Sequence, residues 1–146
     1  RAIVAASREI CERFGGSVPR TIEDATSLPA VARKTANLVL GTGLGIASGI
    51  VVDTHVGRVA RRLGLTGEDS PEAVERDLCA LFPRESWIAT GHRLLLHGRY
   101  VCLARKPRCA ACPLAEDCPA AETAPEGTRR AREADEARLV AARGDG

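Results

Sequence analysis

The 146 residues are 45% hydrophobic but only 3% aromatic, so a core must be built from Leu, Val, Ile and Ala, which favours helices packed through aliphatic ridges. A net charge of +2 excludes a global field as the means of gathering an anionic partner, which must meet a local patch instead. No apolar run is long enough to span a bilayer and no signal peptide opens the chain, so the expectation is a cytoplasmic protein without a membrane partner. The start at Arg1 and the absence of Met point to a piece of a longer protein.

Residues 2–14, AIVAASREICERF, put Ile3, Ala6, Ile10 and Phe14 at helical spacing, and Gly15-Gly16 supplies a stop. Thr21 with Asp24 resembles a capping box, opening a short helix that ends near Leu28. Pro29 forces a turn, and a second helix is expected from about Ala32 to Leu40, which makes 21–40 a helix-hairpin-helix. The glycine-rich run GTGLGIASG, 41–49, reads as a loop. Asp53 or Thr54 then caps a helix through THVGRVARRL, and Ser70-Pro71 opens another that carries Val74, Leu78 and Leu81 inward. Trp87 to Leu96 gives a further helix closed by HGRY. No strand alternation is present, so the fold class is all-α. The tail 121–146 is mostly Ala, Arg and Glu, and is expected to be disordered or weakly helical.

Cys102, Cys109, Cys112 and Cys118 lie in CLARKPRCAACPLAEDC at the spacing C-x6-C-x2-C-x5-C. Four thiolates so close in sequence converge readily on one centre, because a metal's charge favours their deprotonation. Spacing alone leaves tetrahedral zinc and an iron–sulfur cluster both open, and a pair of disulfides is a weaker fit to a cytosolic chain. Arg105, Lys106 and Arg108 carry positive charge within the first loop of this group and could hold a phosphate backbone. Cys11 and Cys79 fall on apolar helical faces and read as core thiols.

Three segments together resemble the endonuclease III family of DNA glycosylases and abasic-site lyases. LPAVARKTANLVL is similar to that family's hairpin and catalytic lysine, VVDTHVGRVARRLGL to its catalytic-aspartate segment, and LHGRYVCLARKPRCAACPLAEDC to its cluster loop. They lie in family order and tie together about 120 residues, from the first helix to Cys118. The resemblance implies a [4Fe–4S] cluster on the four clustered cysteines. It implies a helical barrel domain whose C-terminal part is 1–46 and a cluster domain over 47–120, with Lys34 and Asp53 facing each other across the cleft. Roughly the first half of the family's barrel domain, with a short piece of the cluster domain, would precede residue 1.

The resemblance further implies a bifunctional enzyme of base-excision repair that removes oxidised pyrimidines from double-stranded DNA and nicks the strand by β-elimination. The complete protein would be a monomer associated with the nucleoid. Lys34 is the expected nucleophile, in a first helical turn where the backbone dipole and Arg33 both disfavour an added positive charge. Asp53 would stabilise charge developing on the sugar. Unaided by the family, Lys34 reads as a solvated lysine and Asp53 as an N-cap.

Hairpin contacts to DNA are expected through Ala30, Ala32 and Arg33, although the family has glycines where this chain has the two alanines. His55 is a further backbone contact, and His92 and His97 are structural. Arg58, Arg61 and Arg62 read as a solvated face, with Arg58 the best phosphate ligand among them. The alternatives are a DNA-binding fragment without turnover and a zinc-stabilised helical module.

Overall fold

The structure is a computed structural model and is described for residues 1–121; the tail expected to be disordered or weakly helical falls, beyond Ala121, outside the described residues. Among the described residues every regular element is helical. None of the helices is long and apolar enough to cross a membrane.

Helix α1 spans Ala2–Phe14 and stops at Gly15, which takes the left-handed conformation (φ 59°) that a side chain would resist. Helix α2, Ile22–Thr26, is capped by Thr21, whose hydroxyl accepts from Asp24 N–H at 3.1 Å. The Asp24 carboxylate accepts from that same hydroxyl, so the two side chains meet each other and the reciprocal half of a capping box is missing. After the hairpin come α3, Arg33–Leu38, and then a π-helical turn over Val39–Gly43. The helix therefore continues into residues expected to form a loop.

Helix α4, Thr54–Arg62, begins at the Asp53 cap, and α5, Pro71–Leu81, at the Ser70 cap with proline at its first position. A 3₁₀ turn at Arg84–Ser86 leads into α6, Trp87–Tyr100, which runs through HGRY rather than closing before it.

Two cores form. Ala25, Ala36 and Leu40 pack with Ile22, Val31, Leu44 and Ile46 around the hairpin. Ile50, Val56, Val59, Val74, Leu78 and Leu94 belong to a larger core between α4, α5 and α6. Their burial is the main stabilising contribution, about 1.5–3 kcal/mol for each fully buried large aliphatic. Helices α4 and α6 come close because α6 carries Gly98, where a Cβ would lie 2.9 Å from Val59 Cγ2 and 3.0 Å from His55 Cβ.

Two inward assignments fail. Leu81 is 57% exposed at the end of α5, because the chain turns away at Phe82 before another helix covers it. Helix α1 buries none of its residues, leaving Ile3 82% exposed and Cys11 on the surface.

Candidate functional site

Lys34 is the second residue of α3, and its ammonium has no ion-pair or hydrogen-bond partner among the described residues. The chain enters α3 through Leu28-Pro29-Ala30-Val31, a turn closed by Val31 N–H donating to Leu28 C=O at 3.2 Å. Proline and a left-handed residue follow each other there, and the left-handed residue is Ala30 (φ 60°). Glycine suits that position better, since the methyl of alanine costs about 1–2 kcal/mol in left-handed backbone. Ala30 thus holds a positive φ at that cost, where the family pattern has glycine. Ala32 is extended (φ −78°) and needs no glycine.

Asp53 is half-buried at the start of α4. Its Oδ1 accepts from His55 N–H at 2.9 Å and Val56 N–H at 2.8 Å. Its Oδ2 accepts nothing among the described residues. Cap and free carboxylate oxygen therefore coexist in one side chain.

The elements bearing these two residues are fastened together by Arg33 with three polar groups that the sequence does not mark out, Glu75, Asn37 and Ser48. Glu75 on α5, only 7% exposed, accepts from Arg33 Nε at 2.8 Å and Arg33 Nη2 at 3.0 Å. Glu75 also accepts from Asn37 Nδ2 at 2.9 Å, while Asn37 Oδ1 accepts from Ser48 Oγ–H at 2.8 Å. These bonds hold the Arg33 guanidinium more firmly protonated than usual, against the opposing effect of burial. Arg33, its side chain still 48% exposed, is thus tied to α5 by a two-pronged carboxylate pair.

The four clustered cysteines are free thiols lining one cavity of about 370 Å³, with Arg62, His97, Lys106 and Arg108 also on its wall. Burial pushes the Cys109 thiol up, and the neighbouring Cys102 and Cys118 push the same way while Arg62 opposes them. Burial raises the Cys112 thiol as well. His97 Nε2 lies 3.6 Å from Cys112 Sγ, and burial lowers the pKa of that imidazole. Among the described residues no trio of His, Cys, Asp or Glu forms a single-ion site. Four soft thiol donors around a cavity much larger than one ion fit an iron–sulfur cluster.

Two of the three arginines expected on a solvated face, Arg58 and Arg62, instead hold this loop. Arg58 donates to the carbonyls of Cys102 and Gly98, with Nη2–O distances of 3.0 and 2.7 Å, and lies 3.2 Å from His55 Nδ1. Arg62 donates to Leu103 C=O at 2.7 Å and Ala104 C=O at 3.1 Å, and reaches Cys102 Sγ at 3.3 Å. A loop without regular structure leaves carbonyls unpaired, and these guanidinium groups satisfy them, a structural role for Arg58 beside the phosphate contact expected of it. Arg61 fits a solvated face better, its long ion pair to Asp69 (3.7 Å) being exposed on both sides. His55 is half-buried beside Arg58. Arg105, Lys106 and Arg108 remain exposed, and none of the three side chains has an ion-pair or hydrogen-bond partner among the described residues.

Residues 102–118 match the family model described as the iron–sulfur binding domain of endonuclease III. Over 120 residues the chain is 48% identical to endonuclease III of Synechocystis sp., covering 82% of this chain and 55% of that relative. It is 50% identical to the Treponema pallidum endonuclease III over 118 residues, or 81% of this chain and 56% of the relative. The chain thus spans about half the length of the curated relatives it matches. Among solved structures, a trapped endonuclease III–DNA covalent intermediate superposes with a TM-score of 0.78 at 40% identity, covering 84% of this chain and 57% of that one. A non-covalent endonuclease III–DNA complex superposes with a TM-score of 0.77 at 41% identity, with the same coverage of 84% and 57%.

Proposed function

Taking as premise that the chain belongs to the endonuclease III family and carries its iron–sulfur binding domain, we propose that it serves base-excision repair on double-stranded DNA, with Lys34 as nucleophile and Asp53 as its carboxylate partner. The observation that carries this reading is an unpartnered amine in the first turn of α3, combined with a carboxylate at the start of α4 that keeps one oxygen free after capping.

The Lys34 amine attacks C1′ of a nucleotide turned out of the duplex, forming an N–C1′ bond as the bond to the damaged base breaks. The protons released by the amine pass to the departing base and to Asp53. The C1′–O4′ bond then breaks as C1′ and the amine nitrogen form a Schiff base. O4′ takes the proton held by Asp53 and becomes a hydroxyl, and the Schiff base acidifies the C2′ proton. Loss of that proton expels the 3′ phosphate by β-elimination and nicks the strand. Asp53 stabilises positive charge developing on the sugar, and its fixed cap geometry spares reorganisation during the reaction.

The [4Fe–4S] cluster, when bound, supplies cross-linking rather than reaction chemistry. Cys102, Cys109, Cys112 and Cys118 hold it, so that Arg105, Lys106 and Arg108 face a phosphate backbone from a loop of fixed shape. Ala30, Ala32 and the N-terminal amides of α3 offer a second backbone contact, and His55 a third. Oxidised pyrimidines are the lesions we assign, with residues 1–46 and 47–120 as parts of the two domains flanking the cleft. We read the complete protein as a monomer at work on chromosomal DNA in the cytoplasm.

A second reading, DNA binding without turnover, draws on Ile3 and Val4 of α1, which are 82% and 64% exposed. An abasic-site duplex separates the two readings. Nicking that is lost in Lys34→Ala and much reduced in Asp53→Asn supports the enzyme, whereas binding with no nicking by the unmodified chain supports the module.

A further inference from the structure

We propose that Glu75 is a positioning residue: through Arg33 and Asn37 it fixes the rotation of α3, and through Asn37 and Ser48 it fixes the segment leading to Asp53. The proposal rests on the reading of Lys34 and Asp53 given above.

Arg33 and Asn37 are four residues apart and so share one face of α3. Both donate to the same carboxylate, the first at 2.8 and 3.0 Å and the second at 2.9 Å. Helix α3 and its π-helical continuation are anchored on one side by Ala36 and Leu40 in the hairpin core, and the two attachments to α5 resist turning about the axis from a second side. Lys34 follows Arg33 directly, so its direction of departure from the helix is set by that attachment.

The same network reaches the second catalytic element. Asn37 is 1% exposed and uses both ends of its amide, one on Glu75 and the other on Ser48. Gly49 follows Ser48, and Asp53 comes four residues after Gly49, directly beyond the buried Ile50 and Val52. The approach at Gly49 is so close that a Cβ there would collide with Glu75 Oε1 and lie 2.8 Å from Asn37 Nδ2. No buried side-chain polar atom among the described residues lacks a partner, so the network is complete as built. Glu75 lies in an ordinary amphipathic helix and touches neither proposed catalytic group. Its buried carboxylate is otherwise a costly choice on the inner face of α5.

The test compares the full chain with Glu75→Ala, Glu75→Gln and Gly49→Ala, using borohydride capture on an abasic-site duplex at saturating DNA. Glu75→Gln keeps an acceptor oxygen for Asn37, while Gly49→Ala keeps every charge and wedges the network apart. Glu75→Ala and Gly49→Ala are expected to slow capture about tenfold or more with DNA affinity and helical circular dichroism unchanged, because misplacement by an ångström suffices for such losses. Glu75→Gln should recover part of the rate. Capture at the unmodified rate in both altered chains would overturn the proposal and leave Lys34 standing as nucleophile. A rate loss matched by equal loss of affinity or helicity would overturn it too, making Glu75 a stabilising residue only. No adduct from the unmodified chain would overturn the Lys34 reading, and this proposal with it.

Discussion

Arg58 and Cys102 are joined across 44 positions of sequence by two hydrogen bonds, Nε and Nη2 of the arginine donating to the cysteine carbonyl at 3.2 and 3.0 Å. The same guanidinium serves Gly98 C=O, so one side chain of α4 clasps both the end of α6 and the start of the cysteine loop. Replacing it with alanine strands two half-buried carbonyls. Arg58→Ala should therefore lower stability by about 2–4 kcal/mol and release the cluster on mild heating, which thermal melts followed by visible absorbance would record.

DNA affinity should separate Arg58 from the exposed basic residues. Lys106→Ala and Arg105→Ala should each reduce the slope of log affinity against log salt by about 0.9, one phosphate contact apiece. Arg58→Lys, compared at a temperature where it stays folded, should leave that slope unchanged. Equilibrium titrations at several salt concentrations make the comparison.

Ala30 is held at φ 60° in the hairpin turn. Ala30→Gly removes left-handed strain of about 1–2 kcal/mol and returns part of it as greater freedom of the unfolded chain, for a net gain of up to about 1 kcal/mol. Denaturant unfolding should show a higher midpoint with an unchanged slope. Ala32→Gly gains nothing by this route, because Ala32 is extended.

Gly98 sits where α6 crosses α4, with Val59 Cγ2 and His55 Cβ at 2.9 and 3.0 Å from any added Cβ and His55 C=O at 3.1 Å. Backbone and a buried valine cannot swing aside as a long side chain can. Gly98→Ala is expected to cost about 1–3 kcal/mol by overpacking, read from the same unfolding curves. Helix propensity alone would predict a gain of roughly 1 kcal/mol, so the sign decides which effect wins.

Cys11 and Cys79 should differ sharply toward iodoacetamide. Burial raises the Cys79 thiol above its ordinary value, with a hydrogen bond from the Ile50 backbone only partly opposing it, so its thiolate is scarcer at any pH below that range. Cys11 is on the surface. Mass spectrometry of the folded chain should find Cys11 labelled first, with Cys79 gaining reactivity only as pH rises.

The caps at Thr21, Asp53 and Ser70 were legible because a cap is local: its acceptor and its N–H partner lie three residues apart or fewer. Periodicity likewise placed Val74 and Leu78 inside, but could not know that nothing would cover Leu81. The π turn at Val39–Gly43 escaped because glycines read as loop, whereas Leu40 is packed into the hairpin core and its carbonyl accepts from Ile46 N–H. The internal partners of Arg33, Arg58 and Glu75 escaped for another reason. A charge on a helix looks solvated until its partner, some 40 residues away in sequence, is known. The cysteine spacing announced a metal or cluster, while the arginine clasp around it is tertiary.

The most direct test of Lys34 uses the fact that the chain has only two lysines, Lys34 and Lys106. Abasic-site duplex DNA would be incubated with the full chain and borohydride, and the adduct digested and mapped by mass spectrometry. The expected result is a reduced linkage on Lys34 that vanishes in Lys34→Ala and persists in Lys106→Arg. Linkage on Lys106 or on the N-terminal amine, or a full yield from Lys34→Ala, would contradict the assignment of Lys34 as the nucleophile.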